Sequence, residues 1–123
     1  MERILVVDDN AVNLDLMLYL LGALGYEAEG HSDGLSGLQA AMDGSFALVL
    51  CDVLMPGIDG YEFARRFKSE PALANVPLVA VTAVAMPADR ERILAAGFDG
   101  CITKPIEPST FADRVRALLP PSR

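Results

Sequence analysis

Three hydrophobic runs in this chain carry no polar alternation: Ile4-Leu-Val-Val7, Phe46-Ala-Leu-Val-Leu-Cys51 and Leu78-Val-Ala-Val81. A strand with one face in water alternates apolar and polar residues; a strand covered on both faces does not. The runs are also too short to cross a bilayer. They therefore read as strands of a parallel sheet with helices on both sides. With two weaker segments, the expected strands are Arg3–Val7, Glu27–His31, Ala47–Cys51, Leu78–Thr82 and Gly100–Thr103. The second is mixed in character and belongs at an edge.

Helical patterns fill the intervals, over Ala11–Leu24, Leu35–Met42, Tyr61–Lys68, Ala88–Ala96 and Ser109–Leu119. Gly25 and Gly97 stand where a left-handed cap is wanted. Pro87 and Pro108 stand just before or at first helical turns. Gly44-Ser45 and Asp33-Gly34 read as turns. Strict β-α alternation implies a doubly wound α/β sheet with right-handed crossovers.

The chain has 123 residues, enough for one domain with a proper core, spanning 1–123. Its 17 acidic and 10 basic side chains leave a net charge of -7, which argues against direct nucleic-acid binding. The opening Met-Glu-Arg-Ile runs straight into a strand with no secretory pattern, so a cytoplasmic location without membrane attachment is expected. Cys51 and Cys101 make no disulfide framework and are expected as buried core residues.

The strand ends carry chemistry. Asp52 ends the third run, Asp8-Asp9 the first, Thr82 the fourth and Lys104 the fifth. Parallel strands bring these ends to one edge, where open α/β sheets hold their reactive groups. Carboxylates so close repel unless a cation intervenes, and a hard dication such as Mg²⁺ suits them. His31 is the single histidine and lies elsewhere, so zinc is disfavoured. Asp52 has the chemistry to attack phosphorus as a carboxylate nucleophile. Mg²⁺, the Lys104 ammonium, the Thr82 hydroxyl and backbone amides in the Val53–Met55 turn would then neutralise phosphoryl oxygens. Plainer readings stand beside this one: Asp8-Asp9 as a helix cap, Asp52 as a turn residue before Met-Pro-Gly, Thr82 as an ordinary strand residue, Lys104-Pro105 as a loop.

Over essentially its whole length the sequence resembles the receiver domain of two-component response regulators. The resemblance is carried by Ile4-Leu-Val-Val-Asp-Asp-Asn10, Leu50-Cys-Asp-Val-Leu-Met-Pro-Gly-Ile-Asp-Gly60, Ala80-Val-Thr-Ala83 and Thr103-Lys-Pro105. It implies a flavodoxin-like, five-stranded parallel sheet of order 2-1-3-4-5 with five helices. It implies that Asp52 accepts a phosphoryl group from a histidine kinase or histidine phosphotransfer protein and that a protein-binding surface then switches. Asp9, Asp52 and the Leu54 carbonyl would hold Mg²⁺, with Asp8 acting through water. Thr82 and the Ala83 amide would bind phosphoryl oxygens. Lys104 would pair with phosphate or carboxylate, and Lys104-Pro105 would be a cis peptide. Turnover of an external substrate is not implied. Cys101 departs from the family: many receivers carry Tyr or Phe there. No ring can follow Thr82 here, so output is expected to be muted or carried by the Val84–Pro87 loop, including Val84 and Met86, with Pro105 beside it.

The first helix is unusually apolar. Leu14, Met17, Leu18 and Leu21 form a core stripe; Val12, Leu16, Tyr19, Leu20 and Ala23 form a second. The second reads either as covered by neighbouring helices or as a docking face for a helical phosphodonor or a second copy of the chain, giving a monomer or weak homodimer. A downstream protein target is a further expectation. Three other functions compete. A small acyl-phosphate phosphohydrolase would want Asp-x-Asp, but Val53-Leu54 follows Asp52. A flavin or nucleotide carrier would want a Gly/Ser-rich loop after the first strand, where Asp8-Asp9-Asn10 stands. A binding module that is never phosphorylated is the third.

Overall fold

The computed structural model describes residues 2–83 and 86–119. Five parallel strands form one sheet in the order β2-β1-β3-β4-β5: β1 Arg3–Val7, β2 Glu27–His31, β3 Leu48–Asp52, β4 Leu78–Thr82 and β5 Gly100–Thr103. The crossover helices are α1 Ala11–Ala23, α2 Gly34–Asp43, α3 Gly60–Lys68, α4 Pro87–Ala96 and α5 Pro108–Leu118. A short 3-10 turn, Pro71–Leu73, precedes β4. This is the doubly wound sheet expected, with β2 at an edge.

Both faces of the sheet are covered, which is why its strands do not alternate in polarity. Ile4, Val6, Leu48, Leu50, Val79 and Val81 pack with Met17 and Leu21 of α1 and with Phe111 and Val115 of α5. Leu5, Val7, Val49, Cys51, Leu78 and Ala80 face the other way, onto α2, Phe63 and Phe67 of α3, and Ile93 of α4. Alternate residues serve opposite cores. Burying each large side chain contributes about 1.5–3 kcal/mol.

The helix ends follow local chemistry. Asn10 caps α1, its side chain accepting from the Asn13 amide. Asp33 and Asp59 cap α2 and α3 in the same way. Gly34 is thus the first residue of α2, not the second half of a turn. Pro87 and Pro108 occupy first turns, where a missing N–H costs nothing. Gly25 and Gly97 have φ of 93° and 116°, as the caps required.

Cys101 corrects an expectation. Cys51 is buried, but Cys101 is only half-buried, because β5 is itself an edge strand. The second stripe of α1 also divides. Leu16 and Leu20 pack partly against the α1/α5 core, while Val12 and Tyr19 stand about three-quarters exposed. Val84 and the tail 120–123 lie outside the described residues.

Candidate phosphoryl and metal site

Strand register sets the site. Val7 pairs with Cys51, Asp52 with Val81, and Thr82 with Thr103. The next residues, Asp8 and Lys104, therefore emerge beside Asp52 and Thr82. Backbone bonds tighten the edge: the Asp8 amide donates to the His31 carbonyl (3.1 Å) and the Lys104 amide to the Thr82 carbonyl (2.8 Å). Lys104-Pro105 is cis.

Asp8, Asp52 and Thr82 are the buried polar side chains of the described chain; Asp9 is exposed. Lys104 Nζ lies 3.1 Å from Asp8 Oδ2 and 3.3 Å from Asp52 Oδ2. Asp52 Oδ1 accepts from the Leu54 amide at 3.3 Å, so the turn after β3 does supply a donor. Asp8 Oδ1 accepts from the Asn10 amide at 2.9 Å. Asp8 and Asp9 are not the cap of α1; Asn10 is, and the Asp8 carboxylate is left pointing into the cluster.

One ammonium does not balance this set. Burial, then the Asp8 charge, push the Asp52 carboxyl up to about 6, against the pull of Lys104 and the Leu54 amide. Burial also works against the Lys104 ammonium, but its close pairing with the Asp8 carboxylate and the Asp52 charge outweigh it and hold the lysine above its ordinary value. Asp8 Oδ2 is fully buried, and its contact with Nζ is an ion pair without hydrogen-bond alignment. One oxygen from each of Asp8, Asp9 and Asp52 lies within 4.8 Å of the others. A buried oxygen with spare capacity, inside a trio of carboxylates, is a donor set for a hard dication. Among the described residues no His or Cys joins it.

Residues 4–116 match the model of the response regulator receiver domain. The chain belongs to the response regulator receiver domain family. The receiver is 34% identical over 118 residues to the polar-differentiation response regulator DivK of Brucella anthropi, spanning 96% of each chain. Its structure resembles chemotaxis protein CheY4 of Vibrio cholerae with a TM-score of 0.93 at 28% identity, covering 97% of this chain and 99% of that one. It also resembles the receiver domain of sensor histidine kinase PA1611 of Pseudomonas aeruginosa (TM-score 0.88, 30% identity, 95% and 96% covered), whose structure has a magnesium ion coordinated in the active-site cleft. Phosphorelay signalling is accordingly the receiver's role, and its partners are of the histidine kinase or phosphotransfer class. Among the described residues no helix is long and apolar enough to cross a membrane.

Two contributors were not singled out from the sequence. Asn10 supplies both the α1 cap and the amide that turns Asp8; an Asn directly before an apolar helical run was the available signal. Gly60 allows α3 to start against the site loop, since a Cβ there would lie 2.5 Å from Val53 Cα and 2.6 Å from the Asp52 carbonyl oxygen. That close approach has no signature in sequence beyond the Asp59-Gly60 pair. The remaining expected residues are spread wider. Ala83 and Leu54 are exposed beside the site, Met86 is exposed at the start of α4, and Cys101 lies on the α4 side of β5.

Proposed function

We propose that Asp52 is the phosphoryl acceptor of a single receiver domain spanning 1–123, and that it works with a bound Mg²⁺. The observation that carries the proposal is the Lys104 ammonium between two buried carboxylates, with the Asp8 oxygen short of a full set of partners. Asp8, Asp9, Asp52 and the Leu54 carbonyl are the residues proposed to hold the metal, Asp8 through water. When bound, Mg²⁺ would supply positive charge for the phosphoryl oxygens and lower the repulsion among the acids.

The chain's own residues do the rest. An Asp52 carboxylate oxygen forms the new O–P bond while the donor's N–P bond breaks, its electron pair returning to the imidazole nitrogen. Lys104 stays close enough to exchange one carboxylate contact for a phosphoryl oxygen. Thr82 and the Ala83 amide are proposed as further donors to that group. The reaction is self-directed, and no external substrate is turned over. The donor is a histidine kinase or phosphotransfer protein docking beside α1, where Val12 and Tyr19 are exposed and Leu16 and Leu20 partly so. The receiver works in the cytoplasm as a monomer or weak homodimer, without touching nucleic acid, and passes its state to a protein target.

Incubation with acetyl phosphate and Mg²⁺, followed by phosphate-affinity electrophoresis, tests this. The wild type is expected to shift, and Asp52→Asn and metal-free samples are not. A shift retained in Asp52→Asn would place the acceptor elsewhere.

A further inference from the structure

The loop joining β3 to α3 carries the Leu54 amide and carbonyl, yet little main-chain bonding holds it. The Gly60 amide donates to the Val53 carbonyl at 2.8 Å and ties the two ends of the loop together. Between them, no backbone–backbone hydrogen bond among the described residues reaches residues 54–58 from another element. At the site end there is the Leu54 amide, donating to Asp52 Oδ1 at 3.3 Å. The rest of the loop must take its position from side-chain packing.

Two side chains supply that packing. Met55 is buried, and Ile58 is partly buried against the core that holds Val7 and Phe63. Ile58 also lies against the first turn of α2. A Cβ on Gly34 would come 2.4 Å from Ile58 Cγ1, 2.9 Å from its Cδ1 and 3.1 Å from its carbonyl oxygen. Gly34 is buried and lacks the positive φ of Gly25, Gly57 and Gly97, so glycine serves space here rather than backbone freedom. Rotation of the Ile58 side chain would relieve the first two clashes but not the third. Any side chain at position 34 therefore pushes on the main chain of the loop. The turn that would push is well fixed. The Asp33 carboxylate accepts from the Ser36 amide and hydroxyl at 2.9 Å each, and a Cβ on Gly37 would lie 2.6 Å from Val7 Cγ2.

We infer that Gly34 is a positioning residue for the metal: its missing side chain lets α2 close on Ile58, and that contact sets where the loop holds the Leu54 carbonyl. Gly34 is no ligand and acts through Ile58. This role rests on the metal reading above and extends it, because α2 contributes no ligand yet becomes part of what sets Mg²⁺ affinity. Groups that orient a metal ligand from behind typically shift affinity by about ten- to a hundredfold.

The test is an amide NMR titration of the intact, unphosphorylated protein with Mg²⁺, which reads the Kd. Gly34→Ala is expected to weaken Mg²⁺ at least about tenfold, a difference of ~1.4 kcal/mol. Gly44→Ala is the control. Its Cβ would come 2.7 Å from Phe46 Cε2 at the far end of the same helix, so it strains α2 away from the loop and is expected to leave the Kd unchanged. Ile58→Ala removes the loop's half of the contact without a clash and is also expected to weaken Mg²⁺. It keeps the test open if Gly34→Ala does not fold. Combined with Gly34→Ala it gives back the space, so the double variant is expected to bind more tightly than Gly34→Ala alone. An unchanged Kd in both single variants, an equal loss in Gly44→Ala, or no recovery in the double variant would overturn the inference. A wild type that takes up no Mg²⁺ would instead sink the metal reading. The metal-free spectra then decide the role of Gly34: Gly34→Ala, and not Gly44→Ala, is expected to move the Leu54 amide, and an unmoved Leu54 amide overturns it.

Discussion

Replacing Asp52 with asparagine should make the metal-free protein more stable while removing the proposed acceptor. Burial and the Asp8 charge hold the Asp52 carboxyl at about 6, against an ordinary value of 3.8. The folded value lies above the unfolded one, so the native state keeps a proton that the unfolded chain has already released. Ionised Asp52 therefore weakens the fold above about pH 6, and the penalty fades as pH falls through 6 and is gone below 3.8. A gap of roughly two pH units corresponds to about 3 kcal/mol at neutral pH. Lys104's attraction is already contained in that figure, and asparagine copies a protonated carboxyl imperfectly, which brings the expected gain to about 1–3 kcal/mol. At about pH 5 the gain should fall to roughly half. Urea unfolding of wild type and Asp52→Asn, in chelator, at about pH 7.5 and about pH 5, measures both values. Excess Mg²⁺ at the higher pH should then stabilise the wild type more than the variant. A variant no more stable than wild type, or an advantage that does not change with pH, would refute the claim that Asp52 is held ionised at a cost.

Other perturbations read different parts of the molecule. Lys104→Ala leaves Asp8 and Asp52 without their counter-ion, and should slow acetyl-phosphate labelling by about a hundredfold. It should also cost about 3 kcal/mol in chelator, much of it regained on adding Mg²⁺. Gly60→Ala forces a Cβ into the Val53 backbone and should cost about 1–3 kcal/mol by chemical denaturation. Gly22→Ala, on an open face of α1 with nothing within 4 Å, should instead add up to ~1 kcal/mol. Alkylation followed by mass spectrometry should modify Cys101 slowly and Cys51 only after unfolding. Burial, helped by the Asp52 charge, pushes the Cys51 thiol far up and seals it off, while Cys101 is half-buried with Arg90 and Arg114 partly countering its desolvation.

Much of this protein is set by local sequence. Unalternating runs such as Ile4–Val7 and Leu78–Val81 require cover on both faces, and their alternation with helices leaves few topologies besides a parallel doubly wound sheet. Because parallel strands end on one edge, the convergence of Asp8, Asp9, Asp52, Thr82 and Lys104 follows from their positions at run ends. Element limits were legible to within a residue or so, since glycine and proline punctuate them through backbone sterics and Asn10, Asp33 and Asp59 through side-chain caps. What the acids do to one another was not legible. The Lys104 bridge, the buried Asp8 oxygen and the raised Asp52 carboxyl depend on distances of a few ångströms and on exclusion of water, and both arise only when β1, β3, β4 and β5 are in register. The same holds for Cys101, which reads as core from its neighbours in sequence. In three dimensions it lies on an edge strand, beneath a hollow walled by helices that follow β4 and β5, because burial is a property of what packs across a residue rather than of what precedes it.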